Sequence, residues 1–82
     1  MKLPRDVSGT ELAALLRRFG YEITRQTGSH LRLTSTFKGS EHHVTIPRHQ
    51  QLRVGTLSGI LSDVASYLEM SREEVVLSLF GQ

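Results

Sequence analysis

Eighty-two residues with 38% hydrophobic and 22% charged content suit one soluble domain spanning residues 1–82, because a chain of this size closes a single modest core and not two. With no cysteine in the sequence, a disulfide framework, a thiolate zinc site and a cysteine nucleophile are all excluded. The net charge is only +2 but unevenly spread: residues 1–56 carry nine Lys/Arg, four Asp/Glu and all four histidines, while residues 57–82 carry Arg72 against Asp63, Glu69, Glu73 and Glu74. The basic part is either a solvated surface or the side that meets an anionic partner such as nucleic acid. The opening MKLPRDVSGTE has no apolar leader region, and no apolar run approaches the roughly 20 residues that span a bilayer. No membrane contact is expected, and the cytoplasm is the default location.

In chain order, Ser8 to Phe19 reads as a helix, since Leu12, Leu15, Leu16 and Phe19 recur at i, i+3, i+4 and i+7. Ser8 with Glu11 forms a capping-box pattern, and Gly20 stands where a left-handed C-terminal residue is wanted. Arg17 and Arg18 suit the negative end of this helix's own dipole. The period then falls to 2. Tyr21, Ile23 and Arg25 alternate with Glu22, Thr24 and Gln26, and a Gly28-Ser29 turn follows. Leu31 and Leu33 then alternate with His30, Arg32 and Thr34, which predicts a hairpin. A polar connection, Ser35 to Glu41, leads to a third strand in which Val44 and Ile46 alternate with His43 and Thr45 before Pro47 ends it.

A second amphipathic helix runs from about Val54 to Tyr67, with Leu57, Ile60, Leu61, Val64 and Leu68 in register. Gly59 inside it suggests close approach by another element, since glycine costs a helix interior about 1 kcal/mol relative to alanine. Ser71 and Glu74 form another capping box, with Met70 and Val75 as its hydrophobic staple, opening a short helix that ends near Gly81. The expected fold class is α+β: a three-stranded antiparallel sheet with helices packed on one face, an αβββα core plus a short C-terminal helix.

This alternation puts His30, Arg32, His43 and Thr45 on the open face of the sheet, opposite Leu31, Leu33, Val44 and Ile46. His30 is the surplus residue in the stretch GSHLRL. Gly28 frees the backbone to turn and Ser29 is able to cap it, but a turn has no need of imidazole, which exchanges a proton near neutral pH. His42, His43 and His49 lie close in sequence, yet adjacent strand residues face opposite ways and no carboxylate accompanies them at ligand spacing. Neither a metal nor another cofactor is expected.

Four segments resemble the HicA-type toxins of bacterial toxin-antitoxin systems: SGTELAALLRRFGY, RQTGSHLRL, HVTIPRH and LRVGTLSGIL, which fall in order between residues 8 and 61. The conjunction of R-x-x-G-S-H, V-T-I-P-x-H and G-T-L-x-x-I-L carries the likeness. The resemblance implies a fold like the double-stranded RNA-binding domain and an mRNA-cleaving activity that uses the histidine of GSH, here His30. It also implies a HicB-type antitoxin as protein partner. The tail YLEMSREEVVLSLF departs from the shorter family members by adding a helix.

RNA carries its own nucleophile, so a base for the 2′-hydroxyl proton and a cation for the developing phosphorane charge suffice to cleave it. His30 suits the first role and Arg32, two residues on, the second; His43 or His49 is the candidate proton donor. Arg25, Arg32, Lys38, Arg48 and Arg53, with Gly28 and Ser29 of the turn, are candidate RNA contacts. Phe37 is the one aromatic placed either to stack on a base or to fold back on the apolar layer. Two rival readings use the same residues: an RNA-binding module that does not cut, and a protein-interaction domain that docks through its open sheet.

Overall fold

A computed structural model describes residues 3–81. Its elements run α1 (Gly9–Leu16), a 3₁₀ turn (Arg17–Phe19), β1 (Glu22–Gln26), β2 (His30–Ser35), β3 (His42–Pro47), α2 (Val54–Leu68) and α3 (Arg72–Phe80). The strands form one antiparallel sheet in the order β1-β2-β3. This is the α+β arrangement expected, with helices on one face, and it is consistent with a double-stranded-RNA-binding-domain-like fold. Among the described residues no helix is long and apolar enough to cross a membrane.

Both capping boxes form. The Glu11 amide donates to Ser8 Oγ at 3.0 Å while the Ser8 amide donates to the Glu11 carboxylate at 2.9 Å, and Ser71 with Glu74 repeats the pair at 2.9 and 3.0 Å. The Ser71 hydrogen bonds hold the Glu74 carboxyl below the usual carboxylate range. The first helix stops being α-helical at Leu16 and tightens into the 3₁₀ turn, which delivers Phe19 to the core and ends at Gly20 with φ 81°.

Leu31, Leu33, Val44 and Ile46 point inward from the sheet and share one apolar cluster with Leu12 and Leu16 of α1 and Leu57, Ile60, Leu61 and Val64 of α2. Truncating Leu12, Leu16, Ile60 or Leu61 to alanine is expected to cost about 2–5 kcal/mol each, because the sites are closed and leave a cavity. Met70 and Val75 both join this cluster, as the staple requires, and Val75, Val76 and Leu79 bury α3.

Close approach occurs at Gly9 rather than Gly59. A Cβ at Gly9 would lie 2.0 Å from the Pro47 carbonyl oxygen, whereas one at Gly59 would meet nothing within 4 Å. The glycine in α2 faces open space because the sheet and α3 contact other sides of that helix. Gly9 lets the start of α1 abut the end of β3, where its amide donates to the His49 carbonyl at 2.9 Å. Arg18 also departs from expectation. Its guanidinium donates to the Ser78 carbonyl in the last turn of α3, so it serves the C-terminus of a different helix from its own.

The β1–β2 ladder carries a bulge between Ile23 and Arg25. Ile23 pairs with Leu33 and stays on the helix side, but the extra residue turns Arg25 across the sheet to sit opposite Arg32. Simple alternation would have placed Arg25 on the same face as Ile23.

Candidate active site on the open sheet face

The hairpin turn before His30 is held by Thr27. Its backbone amide donates to the His30 carbonyl at 2.9 Å, and its hydroxyl oxygen accepts from the His30 amide at 3.0 Å and the Ser29 amide at 3.3 Å. This is an ST-turn geometry. Ser29 therefore does not cap the turn. Gly28 is absent from the positive-φ residues, and a Cβ there would meet nothing within 4 Å, so the turn itself demands no glycine.

Released from capping, the Ser29 hydroxyl lies 2.8 Å from His30 Nδ1. Arg48, the residue after β3, clamps the same turn: its amide donates to the Ser29 carbonyl at 2.8 Å and its Nη1 to the Thr27 carbonyl at 3.1 Å. His30 is thus an exposed imidazole on a turn fixed from both sides, with one ring nitrogen engaged and Nε2 directed away from that contact.

Register orders the rest of the face. His30 pairs with Pro47, Arg32 with Thr45 and Arg25, and Thr34 with His43 and Glu22. Arg25 and Arg32 form a like-charge pair directly across two strands, a destabilising juxtaposition. Neither takes part in an ion pair among the described residues, where Lys38 pairs with Glu69 at 3.3 Å and His43 Nε2 lies 3.5 Å from the Glu41 carboxylate. The arginine row begins two residues, about 7 Å, from His30. Two cavities formed by the described residues, of about 330 and 420 Å³, are lined by other side chains than His30. The histidine belongs to an open face, which suits an extended polymer better than a small enclosed molecule.

The remaining candidates lie elsewhere. Lys38 follows the opposite end of β2, and its amide donates to Tyr67 Oη at 2.9 Å. Arg53 precedes α2 and lines the 420 Å³ cavity with Arg5. Phe37 is 61% exposed and meets Phe19 edge-on with ring centroids 6.4 Å apart, so it folds toward the apolar layer while leaving most of its ring in solvent. His43 sits on the open face with Nδ1 2.8 Å from Thr34 Oγ1, but four ladder rows from His30, about 13 Å along the strand. His49 is exposed two residues beyond Pro47, at the His30 end of the sheet.

His42 faces the helices. Its Nδ1 lies 2.7 Å from Tyr21 Oη, and its ring stacks on Tyr67 at 4.7 Å and 9°. Burial, and then the proximity of Tyr67 and Asp63, pushes the Tyr21 hydroxyl pKa well above the usual phenol range. His42 and His43 do face opposite ways, and the described residues contain no group of three His, Asp or Glu able to hold a metal. Thr27 and this partly buried Tyr21–His42–Tyr67 group were not singled out from sequence. A threonine two residues before Ser29 is the local signal for the turn, but nothing in the sequence shows which tyrosines reach His42.

A three-stranded antiparallel sheet backed by helices on one face, with histidine and arginine displayed on the other, defines a small protein of the α+β class. A family model described as the HicA toxin of bacterial toxin-antitoxin systems matches residues 9–65, more than half of the chain. The chain therefore belongs to the HicA toxin family and is the toxin of a toxin-antitoxin system. The match contains α1, the whole sheet and most of α2, and leaves α3 outside. No curated protein and no solved structure matches the chain.

Proposed function

We propose that this toxin is an endoribonuclease that cleaves mRNA in the cytoplasm through His30. The observation that carries the reading is the pairing of an exposed, turn-anchored imidazole with an unneutralised Arg25–Arg32 row on the same sheet face. An RNA backbone laid across the face would relieve the arginine repulsion and bring a phosphodiester beside His30. Gly28 presents bare backbone next to that position.

His30 Nε2 takes the proton of the 2′-hydroxyl as the 2′-oxygen forms its bond to phosphorus. Arg32, supported by Arg25, stabilises the charge that builds on the phosphoryl oxygens. The bond to the 5′-oxygen breaks, and that oxygen takes a proton, leaving a 2′,3′-cyclic phosphate and a 5′-hydroxyl. With His43 about 13 Å away along the strand, His49 or solvent is the proton donor. Arg48 lies at the same turn and adds a phosphate contact, while Lys38 and Arg53 engage the strand further out. The protein partner is a HicB-type antitoxin that covers this face and blocks RNA.

Analysis of product ends tests the chemistry. RNA cut by the purified toxin in the presence of chelator should carry 5′-hydroxyl and 2′,3′-cyclic phosphate ends. Products with 5′-phosphate ends and a strict magnesium requirement would replace this route with metal-activated hydrolysis. RNA that is bound but left intact would make the protein a binding module.

A further inference from the structure

The contact between Ser29 Oγ and His30 Nδ1 at 2.8 Å has no part in holding the hairpin, since Thr27 and Arg48 supply the turn's hydrogen bonds. Ser29 is exposed, and water would satisfy its hydroxyl equally well. From these facts we infer that Ser29 is a positioning residue, which holds His30 with hydrogen on Nδ1 and the lone pair on Nε2. The inference rests on the nuclease reading above and gives that reading an orientation.

An imidazole is useful as a base only through the nitrogen that lacks hydrogen, and a free ring is able to place its hydrogen on either. When Nδ1 carries it, Nδ1–H donates to Ser29 Oγ, and Nε2 is the nitrogen open to the 2′-hydroxyl. After Nε2 has taken the substrate proton, Nδ1–H keeps the same acceptor, so the ring need not reorient during the reaction. The anchor is short and rigid because Ser29 precedes His30 directly and its own backbone is pinned: the carbonyl accepts from the Arg48 amide at 2.8 Å and the amide donates to Thr27 Oγ1 at 3.3 Å. The sequence order Ser-His thus builds, from adjacent residues, the orienting contact that a base otherwise takes from a distant side chain.

The test reads the tautomer directly in the full chain without RNA, from the ¹⁵N shifts of the His30 ring in wild type, Ser29→Ala and Ser29→Thr. Wild type and Ser29→Thr should hold neutral His30 mainly with hydrogen on Nδ1, and Ser29→Ala should shift toward hydrogen on Nε2. In cleavage assays Ser29→Ala should lower kcat about 10- to 100-fold with KM little changed, the size of a misoriented reacting group, and Ser29→Thr should restore most of it. A wild-type ring with hydrogen on Nε2, or a tautomer balance unmoved by Ser29→Ala, would overturn the inference. So would a loss expressed in KM, which would make Ser29 an RNA contact only. Because the ring is read without substrate, its failure is separable from failure of the nuclease reading, which His30→Ala decides.

Discussion

Two histidines at opposite ends of one small sheet make the same hydrogen bond and have opposite prospects. His30 Nδ1 is 2.8 Å from Ser29 Oγ on an exposed turn, and His42 Nδ1 is 2.7 Å from Tyr21 Oη against the helices. The difference is what surrounds the other side of the ring. His42 is stacked on Tyr67 and met edge-on by Tyr21, so its ring is spent on packing. His30 lies among exposed side chains beside an arginine row. A hydroxyl partner alone does not distinguish a reactive imidazole from a structural one; access and neighbouring charge do.

The sharpest way to break this comparison is to remove each ring. His30→Ala should lower the cleavage rate by about 10²–10⁴-fold, the usual contribution of a positioned base, while shifting stability by less than about 0.5 kcal/mol, as for an exposed site. His42→Ala should do the reverse. It strips the buried Tyr21 hydroxyl of its partner and should cost about 1–3 kcal/mol in urea unfolding, with the folded fraction still cleaving at the wild-type rate.

Next in size is Gly9→Ala, which drives a methyl group against the Pro47 carbonyl 2.0 Å away. Backbone must move to admit it, so a loss of about 1–3 kcal/mol in thermal or urea unfolding is expected. Gly59→Ala, in open space, should instead be neutral or stabilising by up to about 1 kcal/mol.

Tyr21 sharpens the buried end through pH. Its folded-state pKa is raised by burial, so the unfolded chain loses this proton first, above about pH 10. The stabilisation is complete below that pH and declines as pH rises further. Urea midpoints measured from pH 8 to 11 should fall in wild type and fall less steeply in Tyr21→Phe, which at neutral pH should cost about 1 kcal/mol for the lost hydrogen bond.

The smallest effect on stability belongs to Arg25→Ala. Removing one of two facing cations should be neutral or gain up to about 1 kcal/mol. The same variant should bind single-stranded RNA more weakly and with a salt slope shallower by about 0.7, the signature of one lost phosphate contact. An unchanged slope would remove Arg25 from the RNA face.

Much of this was legible from local pattern. The leucine and valine periods located the helices and the inward face of β2 and β3, so the exposure of His30, Arg32, His43 and Thr45 followed from alternation alone. Both capping boxes and the left-handed Gly20 were readable because each involves residues within one turn of one another. The features that escaped are those set by distant segments or by a break in period. A bulge near Thr24 reversed the side of Arg25, and Gly9 mattered because of a carbonyl in β3. Arg18 found its acceptor 60 residues away. At the site, residue type singled out His30, but that Thr27 takes the Ser29 and His30 amides while the Ser29 hydroxyl meets the ring is set by the path of the turn, which periodicity does not register.

The most direct test of the central claim expresses wild type and His30→Ala under tight induction, following growth and mRNA integrity, with circular dichroism of both purified proteins. Growth arrest and mRNA loss with wild type alone, both proteins being folded, is the predicted result. Equal toxicity of the two folded proteins, or intact mRNA with both, would contradict a nuclease acting through His30.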